Sequence, residues 1–288
     1  MDIFIYGLVT GSILLICALG FSMTLKTEGF INVAHGQMLM LGAYFTIGLT
    51  YLELPFLIAA FISVILCGLC GLLFQRLLFK PIKSSGILVQ LFTSVGLAYL
   101  INGLVGAIAG KRMLSFDIPI SRVVKVRDIY LVTPYEFMIL GIVLATVIFL
   151  HFFLQYTLMG KHIRAVADNQ DLAKIRGINP DRCSDLVWFI ASSLAGLGGI
   201  FLGILGAVHL NMGWQQIVMI LSVTVLGGLG SIYGVMLAGL LLGFAMEFGL
   251  LIVSSNYRTA IAFGVIILVL VIRPEGLQSL WQSKGRET

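Results

Sequence analysis

The chain has 288 residues, of which 59% are hydrophobic and 11% are charged. Soluble domains are about half apolar and about one quarter charged, because polar surface must remain once the core is filled. The composition therefore excludes an ordinary soluble protein and predicts a protein of the lipid bilayer. The formal net charge of +5 does not indicate nucleic-acid binding, because no basic run with interleaved aromatic residues accompanies it.

Apolar segments follow one another along the chain, each near the length of about 20 residues that a helix needs to cross a bilayer. They predict an all-α, polytopic transmembrane helical bundle of eight or nine membrane segments, with broken or re-entrant helices. No polar stretch is long enough for a second domain, so we expect one transmembrane domain over 1–288. The first segment lacks the basic flank of a signal peptide and is predicted to be a span. The segments lie near 3–25, 34–52, 56–78, 87–109, 136–156, 185–206, 217–230, 234–253 and 257–272.

Lys and Arg residues collect between these segments, which bears on the orientation of the chain. If nine segments cross and the N-terminus lies outside, twelve of the 18 basic residues face the cytoplasm. Cytoplasmic loops carry such an excess, so the pattern predicts a cytoplasmic C-terminus. The segment near 217–230 is short and rich in glycine, and if it turns back, the side of the N-terminus stays open.

Two cysteines, Cys67 and Cys70, form a C-x-x-C pair within an apolar segment. A metal site would need further thiol or imidazole partners nearby, and none is evident. We interpret both as small core residues of a helix, and no metal site or cofactor is predicted.

The first interruption of the apolar pattern lies at 29–36. Asn32 stands where a new helix would begin, and Asn favours the N-cap position, while His35 follows about one turn later. If this helix begins within the membrane after the break at Gly36, its free N–H groups would suit an anionic or zwitterionic ligand. The simpler alternative is a helix capped by Asn32 at the water interface, with His35 bonded to a neighbouring helix.

The second interruption is the polar segment at 157–180. Residues 161–176 alternate apolar and charged side chains in a way that predicts one short amphipathic helix, ended by Gly177 and Pro180. Such a helix would lie on the membrane surface or in a groove of a soluble partner. A solvated loop helix is the alternative.

The third interruption is a glycine cluster that divides the apolar run at 217–253. Together with the break at 29–36 it makes two interrupted segments, which indicate a transport pathway. A simple cytoplasmic turn explains the cluster nearly as well. Its members are Gly227, Gly228, Gly230 and Gly234.

Three polar side chains within the predicted spans are candidates for lining a pathway. Glu247 is the clearest, because a carboxylate in lipid is costly and by default indicates function. Asn102 and Thr93 join it, with the alternative that both bond adjacent helices. Glu247 could equally be protonated or paired for helix packing.

Several enzyme signatures are absent from these 288 residues. There is no G-x-x-x-x-G-K-[ST] loop for binding phosphates, no H-E-x-x-H and no G-x-S-x-G. The sequence therefore predicts that the chain is not an enzyme and does not itself hydrolyse ATP by way of such a loop.

Four motifs, in order along nearly the whole chain, resemble those of branched-chain amino-acid ABC permeases of the LivH type. They are GFINVAHGQMLMLGAYF at 29–45, the loop at 160–179, LGGLGSIYG at 226–234 and IRPEGL at 272–277. The chain departs from the family pattern at Gln37, where an acidic residue is common, and at Lys161, where Arg is common.

The resemblance implies a permease subunit of an ATP-driven importer in a bacterial-type inner membrane. Its implied partners are a second homologous permease subunit, two cytoplasmic ATPase subunits, a periplasmic substrate-binding protein and the lipid bilayer. Asn32 and His35 match the family motif and would belong to the pathway or its gate. The expected substrates are branched-chain or related small amino acids; the alternatives are a permease for urea or amides, or an ion-coupled secondary transporter using Glu247. A coupling segment at about 157–184 would dock on the ATPase through Gly160, Arg164, Ala165, Asn169, Ala173 and Gly177.

Overall fold

The computed structural model describes residues 2–118, 124–126, 129–251, 254, 257–272 and 277. Within these residues the chain forms eleven α-helices and one short hairpin. Helices dominate because a chain in lipid must pair its backbone N–H and C=O groups within each segment. The predicted all-α, polytopic fold is confirmed. The helices are α1 (Asp2–Glu28), α2 (His35–Thr50), α3 (Phe56–Phe74), α4 (Ile87–Ala109), α5 (Pro134–Tyr156), α6 (Leu158–Asp168), α7 (Gln170–Ile175), α8 (Pro180–Leu205), α9 (Met212–Gly227), α10 (Ile232–Gly249) and α11 (Arg258–Ile272).

Each of the nine predicted membrane segments coincides with a helix, namely α1 to α5 and α8 to α11. Six of them, α1, α3, α4, α5, α8 and α10, are long and apolar enough to cross a membrane within the part of the chain that the structure describes. Helices α2 and α9 have 16 residues each and α11 has 15. The predicted number of eight or nine segments is therefore only roughly supported.

The contacts within the chain divide it into two compact units. The first unit combines Met1–Ser22, Ile118–Ala145 and Val218–Thr288, and the second combines Met23–Asp117 and Thr146–Ile217. The prediction of a single transmembrane domain over 1–288 stays a prediction.

Small residues bring α1 and α10 together in the first unit. Gly243 faces the backbone of Gly11, and Gly239 faces Leu15, so a methyl group added at either glycine of α10 would overlap α1. This is the close backbone approach that a G-x-x-x-G pattern permits in lipid. Helix α10 also packs on α11. The hairpin of β1 (Val124–Val126) and β2 (Ile129–Val132) belongs to the same unit.

The core of the second unit is α8, which packs against α2 and α3. Gly42 of α2 lies against Gly196 of α8, and one turn further along α8 Gly199 lies against the carbonyl of Leu39. Gly203 is in contact with the ring of Phe116. At these three glycines other parts of the unit approach α8 closely, and α2 lies deep in the unit.

Helix α3 ends in a π-helical turn, Gln75–Phe79, which faces the beginning of α8. Gln75 donates to Ser184 in the buried interior, while Arg76 donates two hydrogen bonds to Asp185, with Nη2 2.7 Å from Oδ2. These polar contacts join the end of α3 to the beginning of α8, outside the apolar parts of both helices.

Candidate functional site

The break between α1 and α2 lies within the second unit, and its polar side chains are buried although Gly29 and Ile31 are exposed. Asn32 is 3% exposed and His35, the first residue of α2, is 1% exposed. The N–H of Val33 donates to the hydroxyl oxygen of Ser94 on α4 (3.1 Å), and that hydroxyl donates to the carbonyl of Leu91 (2.7 Å). Helix α4 therefore fixes the path of the chain through the break.

The prediction that Asn32 caps α2 is wrong. Helix α2 begins after Ala34 without a capping side chain, and the N–H of His35 donates to the backbone carbonyl of Asn32 (3.2 Å). The Oδ1 atom of Asn32 is buried and has no hydrogen-bond partner among the described residues. The cap is unnecessary because the backbone turn and Ser94 already satisfy N–H groups at this point.

Beyond the break, α2 touches the beginning of α9. A methyl group at Gly36 would overlap the carbonyl of Gly213, so the two backbones lie in direct contact. Gln37, 1% exposed, lies beside Gly213, and both polar atoms of its amide lack hydrogen-bond partners within the described part of the chain. The predicted break at Gly36 is wrong in position, because Gly36 is the second residue of α2 and the break precedes it; Gly36 instead makes a close backbone contact beside a buried amide.

Helix α4 carries the other two predicted pathway residues of this unit. Asn102 is half-buried and donates to the carbonyl of Leu210 (2.8 Å), just before α9. Thr93 is half-buried and donates to the carbonyl of Val89 in its own helix (2.8 Å). Asn102 therefore bonds the segment that leads into α9, whereas the hydroxyl of Thr93 bonds locally.

The polar segment after α5 is folded, but not as predicted. The expected single helix over 161–176 is wrong: α6 ends at Asp168 and α7 begins at Gln170. Asn169 lies between them in an extended conformation, and its Oδ1 accepts from the N–H groups of Asp171 and Leu172, each at 3.0 Å. An Asn side chain that bonds the backbone in this way begins a new helix in place of continuing the old one.

Caps fix the two ends of this segment. The hydroxyl of Thr157 accepts from the N–H of Gly160 (3.0 Å), which begins α6. At the end of α7, Gly177 has a φ of +79°, and the N–H of Ile178 donates to the carbonyl of Ala173 (3.0 Å). This is the arrangement in which a glycine in the left-handed region ends a helix, so the predicted stop at Gly177 is confirmed.

The six predicted coupling residues differ in their surroundings. Gly160 and Ala173 are buried, and a methyl group at Gly160 would overlap the backbone of Leu154. Arg164 is half-buried and donates to the side chain of Gln155 (2.7 Å), and Ala165 is also half-buried. Asn169 and Gly177 are exposed. The residues therefore differ in burial, and the two exposed ones, Asn169 and Gly177, also fix the ends of α7.

The end of α1 forms two ion pairs, one with the end of α6 and one with Lys83. Lys26, in the last turn of α1, pairs with Asp168 (Nζ to Oδ1, 3.3 Å), and both side chains are accessible. Glu28 is buried, pairs with Lys83 (3.4 Å) and accepts a hydrogen bond from Ser184. The predicted coupling segment thus contacts α1 directly before the break that contains Asn32.

The sequence interpretation predicts an amphipathic segment here, but it misses these ion pairs and does not indicate which apolar side chains of α6–α7 are exposed. Ile175 is 81% exposed, and it is one of four large apolar side chains on the surface of the segment. The apolar residues within the polar segment were a local signal for such a surface, whereas the ion pairs join residues distant in the chain and had none. The other three exposed apolar side chains of the segment are Leu158, Met159 and Leu172.

In the first unit, the glycine cluster forms a tight turn between α9 and α10. Gly228 and Gly230 have φ values of +96° and +81°, and the hydroxyl of Ser231 caps α10 by accepting from Gly234 (3.2 Å). Gly227 and Gly234 lie against each other's backbone. The predicted interruption at this point is confirmed.

Glu247 is a buried residue of α10 in the first unit. Its Oε1 accepts a hydrogen bond from the hydroxyl of Thr10 on α1 (2.9 Å). The side chain is 8% exposed. Glu247 belongs to the first unit. The other predicted pathway residues belong to the second unit, namely Asn32, His35, Thr93 and Asn102.

The sequence matches the model of a family described as branched-chain amino acid transport system, permease component, over residues 3–270. The chain is 30% identical to BraD of Pseudomonas aeruginosa, a high-affinity branched-chain amino acid transport system permease protein, over 94% of this chain and 93% of that one. It is 27% identical to LivH of Escherichia coli, which has the same description, over 94% of this chain and 92% of that one.

A solved structure described as PsaBC from Streptococcus pneumoniae in complex with a Fab is similar in fold. Its TM-score is 0.51 at 16% identity, over 94% of this chain and 91% of that chain. This likeness concerns the fold alone. The helices long enough to cross a membrane agree with it, and they indicate a multi-pass membrane protein.

The family match covers nearly the whole chain and includes each of the breaks and the polar segment described above. It confirms the resemblance predicted from four motifs, and with it the prediction of a transport component in place of an enzyme. The chain belongs to the permease component family of branched-chain amino acid transport systems.

Proposed function

We propose that the chain is a membrane-spanning permease subunit of an ATP-driven importer for branched-chain or related small amino acids. Family membership and two relatives named for this transport support the substrate class. The observation that carries the proposal is the segment α6–α7. It is capped at Thr157, Asn169 and Gly177 and paired with α1, in a chain that has no phosphate-binding loop among its residues.

In this proposal α6–α7 is the surface on which a cytoplasmic ATPase subunit docks. Exposed apolar side chains such as Leu172 and Ile175 stand beside the basic residues Lys174 and Arg176. A short amphipathic helix with apolar anchors suits a groove on a soluble partner. The buried Gly160 and Ala173 would set the shape of this surface, and Asn169 its bend.

Movement of α6–α7 would reach the break after α1 through the pair of Lys26 and Asp168. The break contains Asn32 and leads directly to His35, the proposed pathway or gate residues. A partner shifts a conformational equilibrium only if it binds the two conformations with different affinity. The ATPase would therefore have to bind α6–α7 differently in its nucleotide states.

The proposed pathway residues of the second unit are Asn32, His35, Thr93 and Asn102. The buried amide of Gln37 is added to them, because amide groups in an apolar interior suit a zwitterionic substrate and are costly to leave unpaired. Glu247 is retained as a pathway candidate of the first unit, with helix packing through Thr10 as its alternative.

The proposed assembly contains this chain, a second homologous permease subunit, two cytoplasmic ATPase subunits and a periplasmic substrate-binding protein. The location is the inner membrane of a bacterial-type cell, with the C-terminus in the cytoplasm. The excess of basic residues in the loops assigned to the inside supports this orientation.

Competition uptake tests the substrate class. The assembled transporter in proteoliposomes would take up labelled leucine with ATP inside, and unlabelled isoleucine and valine would compete. Competition by urea or an amide in place of these amino acids would contradict the proposal and favour the alternative within the same family. An arginine competitor serves as the control for charge, since no acidic residue stands among the proposed pathway residues of the second unit.

A further inference from the structure

A cavity of about 590 Å³ lies within the second unit, between the later halves of α2 and α4 and beside Leu66 of α3. Its size falls in the range of about 300–1,000 Å³ that small-molecule sites occupy. The lining is formed mainly by aliphatic and aromatic side chains, among them Leu41, Phe45 and Val105. It is thus a site for an apolar group.

One charged group, Arg112, stands among the described lining residues. Arg112 is exposed, and among the described residues its guanidinium makes neither a salt bridge nor a hydrogen bond to a side chain. Lys111 beside it is exposed as well and adds a second positive charge. Arg112 and Lys111 therefore place positive charge at this end of the cavity, and no carboxylate stands among the described lining residues.

The position of Arg112 along the chain places it at the level of lipid headgroups. The candidate span of α4 ends at Ala109, so Arg112 lies just beyond the hydrocarbon part of the helix. Tyr51, which follows α2 and also lines the cavity, is a residue type that favours this interface. Leu41 and Val105 lie further along the helices toward their middle, so the cavity extends from headgroup level into the hydrocarbon.

Tyr44 contributes a second polar feature inside the cavity. The side chain is buried, and its hydroxyl has no hydrogen-bond partner in the described part of the chain. A buried hydroxyl without a partner costs free energy, which a ligand with an acceptor oxygen would recover. An ester carbonyl of a lipid is such an acceptor.

We propose that this cavity binds an anionic phospholipid, with one acyl chain inside and the phosphate against Arg112. The charge of the lining residues favours this ligand over a free amino acid. In the part of the chain that the structure describes, the lining offers a cation for an anionic group but no carboxylate for an ammonium group, whereas a zwitterionic amino acid requires both. The proposal is independent of the transported substrate.

Gly48 allows a direct test. It lines the cavity, and a methyl group added there would meet open space, so a larger side chain would extend into the acyl site without displacing backbone. Gly103 on α4 is the matched control, because it is equally open and does not line the cavity. The variants are Gly48→Leu, Gly103→Leu and Arg112→Gln, made in the full chain and purified within its complex.

Native mass spectrometry would measure binding of added phosphatidylglycerol and phosphatidylcholine to each variant. The wild type is expected to prefer phosphatidylglycerol, and Arg112→Gln to lose about fivefold in affinity for it alone, since a surface cation contributes about 1 kcal/mol. Gly48→Leu is expected to lower the affinity for both lipids roughly tenfold or more, because even two excluded CH₂ groups have that effect. Gly103→Leu is expected to bind like the wild type.

Three results would overturn the inference. The first is lipid binding by Gly48→Leu that equals wild-type binding. The second is that phosphatidylglycerol and phosphatidylcholine bind equally well, both to the wild type and to Arg112→Gln. The third is displacement of the lipid by free leucine. The last would assign the cavity to the substrate. Because Arg112 is exposed and outside the helices, Arg112→Gln tests the charge even if Gly48→Leu proves unstable in a thermal unfolding control.

Discussion

Lys26 and Asp168 connect two parts of the chain that the sequence keeps far apart. Lys26 lies in the last turn of α1, Asp168 is the last residue of α6, and their Nζ and Oδ1 atoms are 3.3 Å apart. The polar segment after α5 is thereby held against the helix that leads to the break with its buried Asn32. In the proposed transporter, this pair is where movement driven by an ATPase would enter the membrane part of the chain.

Reversing either charge should impair transport, and reversing both should restore it. Lys26→Asp and Asp168→Lys each place like charges together, while the double variant recreates the pair in the opposite sense. Exposed pairs contribute about 0.2–1 kcal/mol, so each single variant should lower ATP-driven uptake by up to about fivefold without unfolding the protein. Uptake of labelled leucine into proteoliposomes is the measurement.

The pair of Lys80 and Asp181 is the control for this experiment. It is similarly exposed, with 3.0 Å between Nζ and Oδ2, and it does not include a residue of α6 or α7. Lys80→Asp should leave uptake near the wild-type level. A double variant of Lys26 and Asp168 that transports no better than the singles would rule out the proposed role of their pair.

Gly199→Ala should destabilise the protein. The added methyl group would overlap the carbonyl of Leu39 where α8 crosses α2, and overpacked cores lose about 1–3 kcal/mol. Gly96→Ala on α4 is the control, because its methyl group meets open space and helix propensity favours Ala by about 0.5–1 kcal/mol. Denaturant unfolding in detergent would measure both, and equal stability of the two variants would contradict the described packing.

Gly177→Ala should loosen the end of α7. At a φ of +79° an L side chain costs about 1–2 kcal/mol, whereas Asn tolerates this region better. Hydrogen exchange of the Ile178 amide, which donates to the carbonyl of Ala173, should become faster in Gly177→Ala and recover partly in Gly177→Asn. Unchanged exchange in both variants would mean that the glycine does not hold this end. Association with the ATPase subunits should weaken in the same order.

Glu247→Gln should retain ATP-driven uptake within about twofold. Gln keeps an oxygen that accepts from the Thr10 hydroxyl, so the hydrogen bond between α1 and α10 survives the loss of charge. Glu247→Leu should instead lower stability by about 0.5–1.5 kcal/mol, because the half-buried hydroxyl of Thr10 loses its acceptor. An ion-coupled transporter would behave differently, since neutralising its coupling carboxylate would abolish uptake while leaving stability near the wild-type value.

Much of the fold could be predicted from the sequence, because lipid imposes the helix on each apolar segment. The end of α7 was equally predictable, since glycine readily adopts the left-handed conformation that Gly177 has there. Asn32 and Asn169 illustrate the limit. Both are plausible N-caps, but only Asn169 caps a helix, because the N–H of Val33 is bonded by Ser94 from another helix.

The polar segment after α5 could be predicted from the sequence, but its contacts with the rest of the chain could not, and the roles of its residues stay predictions. Arg164 and Gly160 were identified within the correct segment, yet their contacts with Gln155 and Leu154 depend on how α6 folds back on α5. The pair of Lys26 and Asp168 joins residues distant in the chain, and no local pattern indicates such a contact. Gln37 was noticed only as a departure from the family pattern, and its burial beside Gly213 follows from helix packing.

The central claim is that energy for transport enters through α6–α7 from an ATPase that is another protein. Accumulation of labelled leucine in proteoliposomes tests it most directly, with this chain alone, with the complete complex, and with the complex without ATP, each under an imposed ion gradient. We expect accumulation against a gradient only in the complete complex with ATP inside. Uphill accumulation by the purified chain alone, with no nucleotide present, would contradict the account.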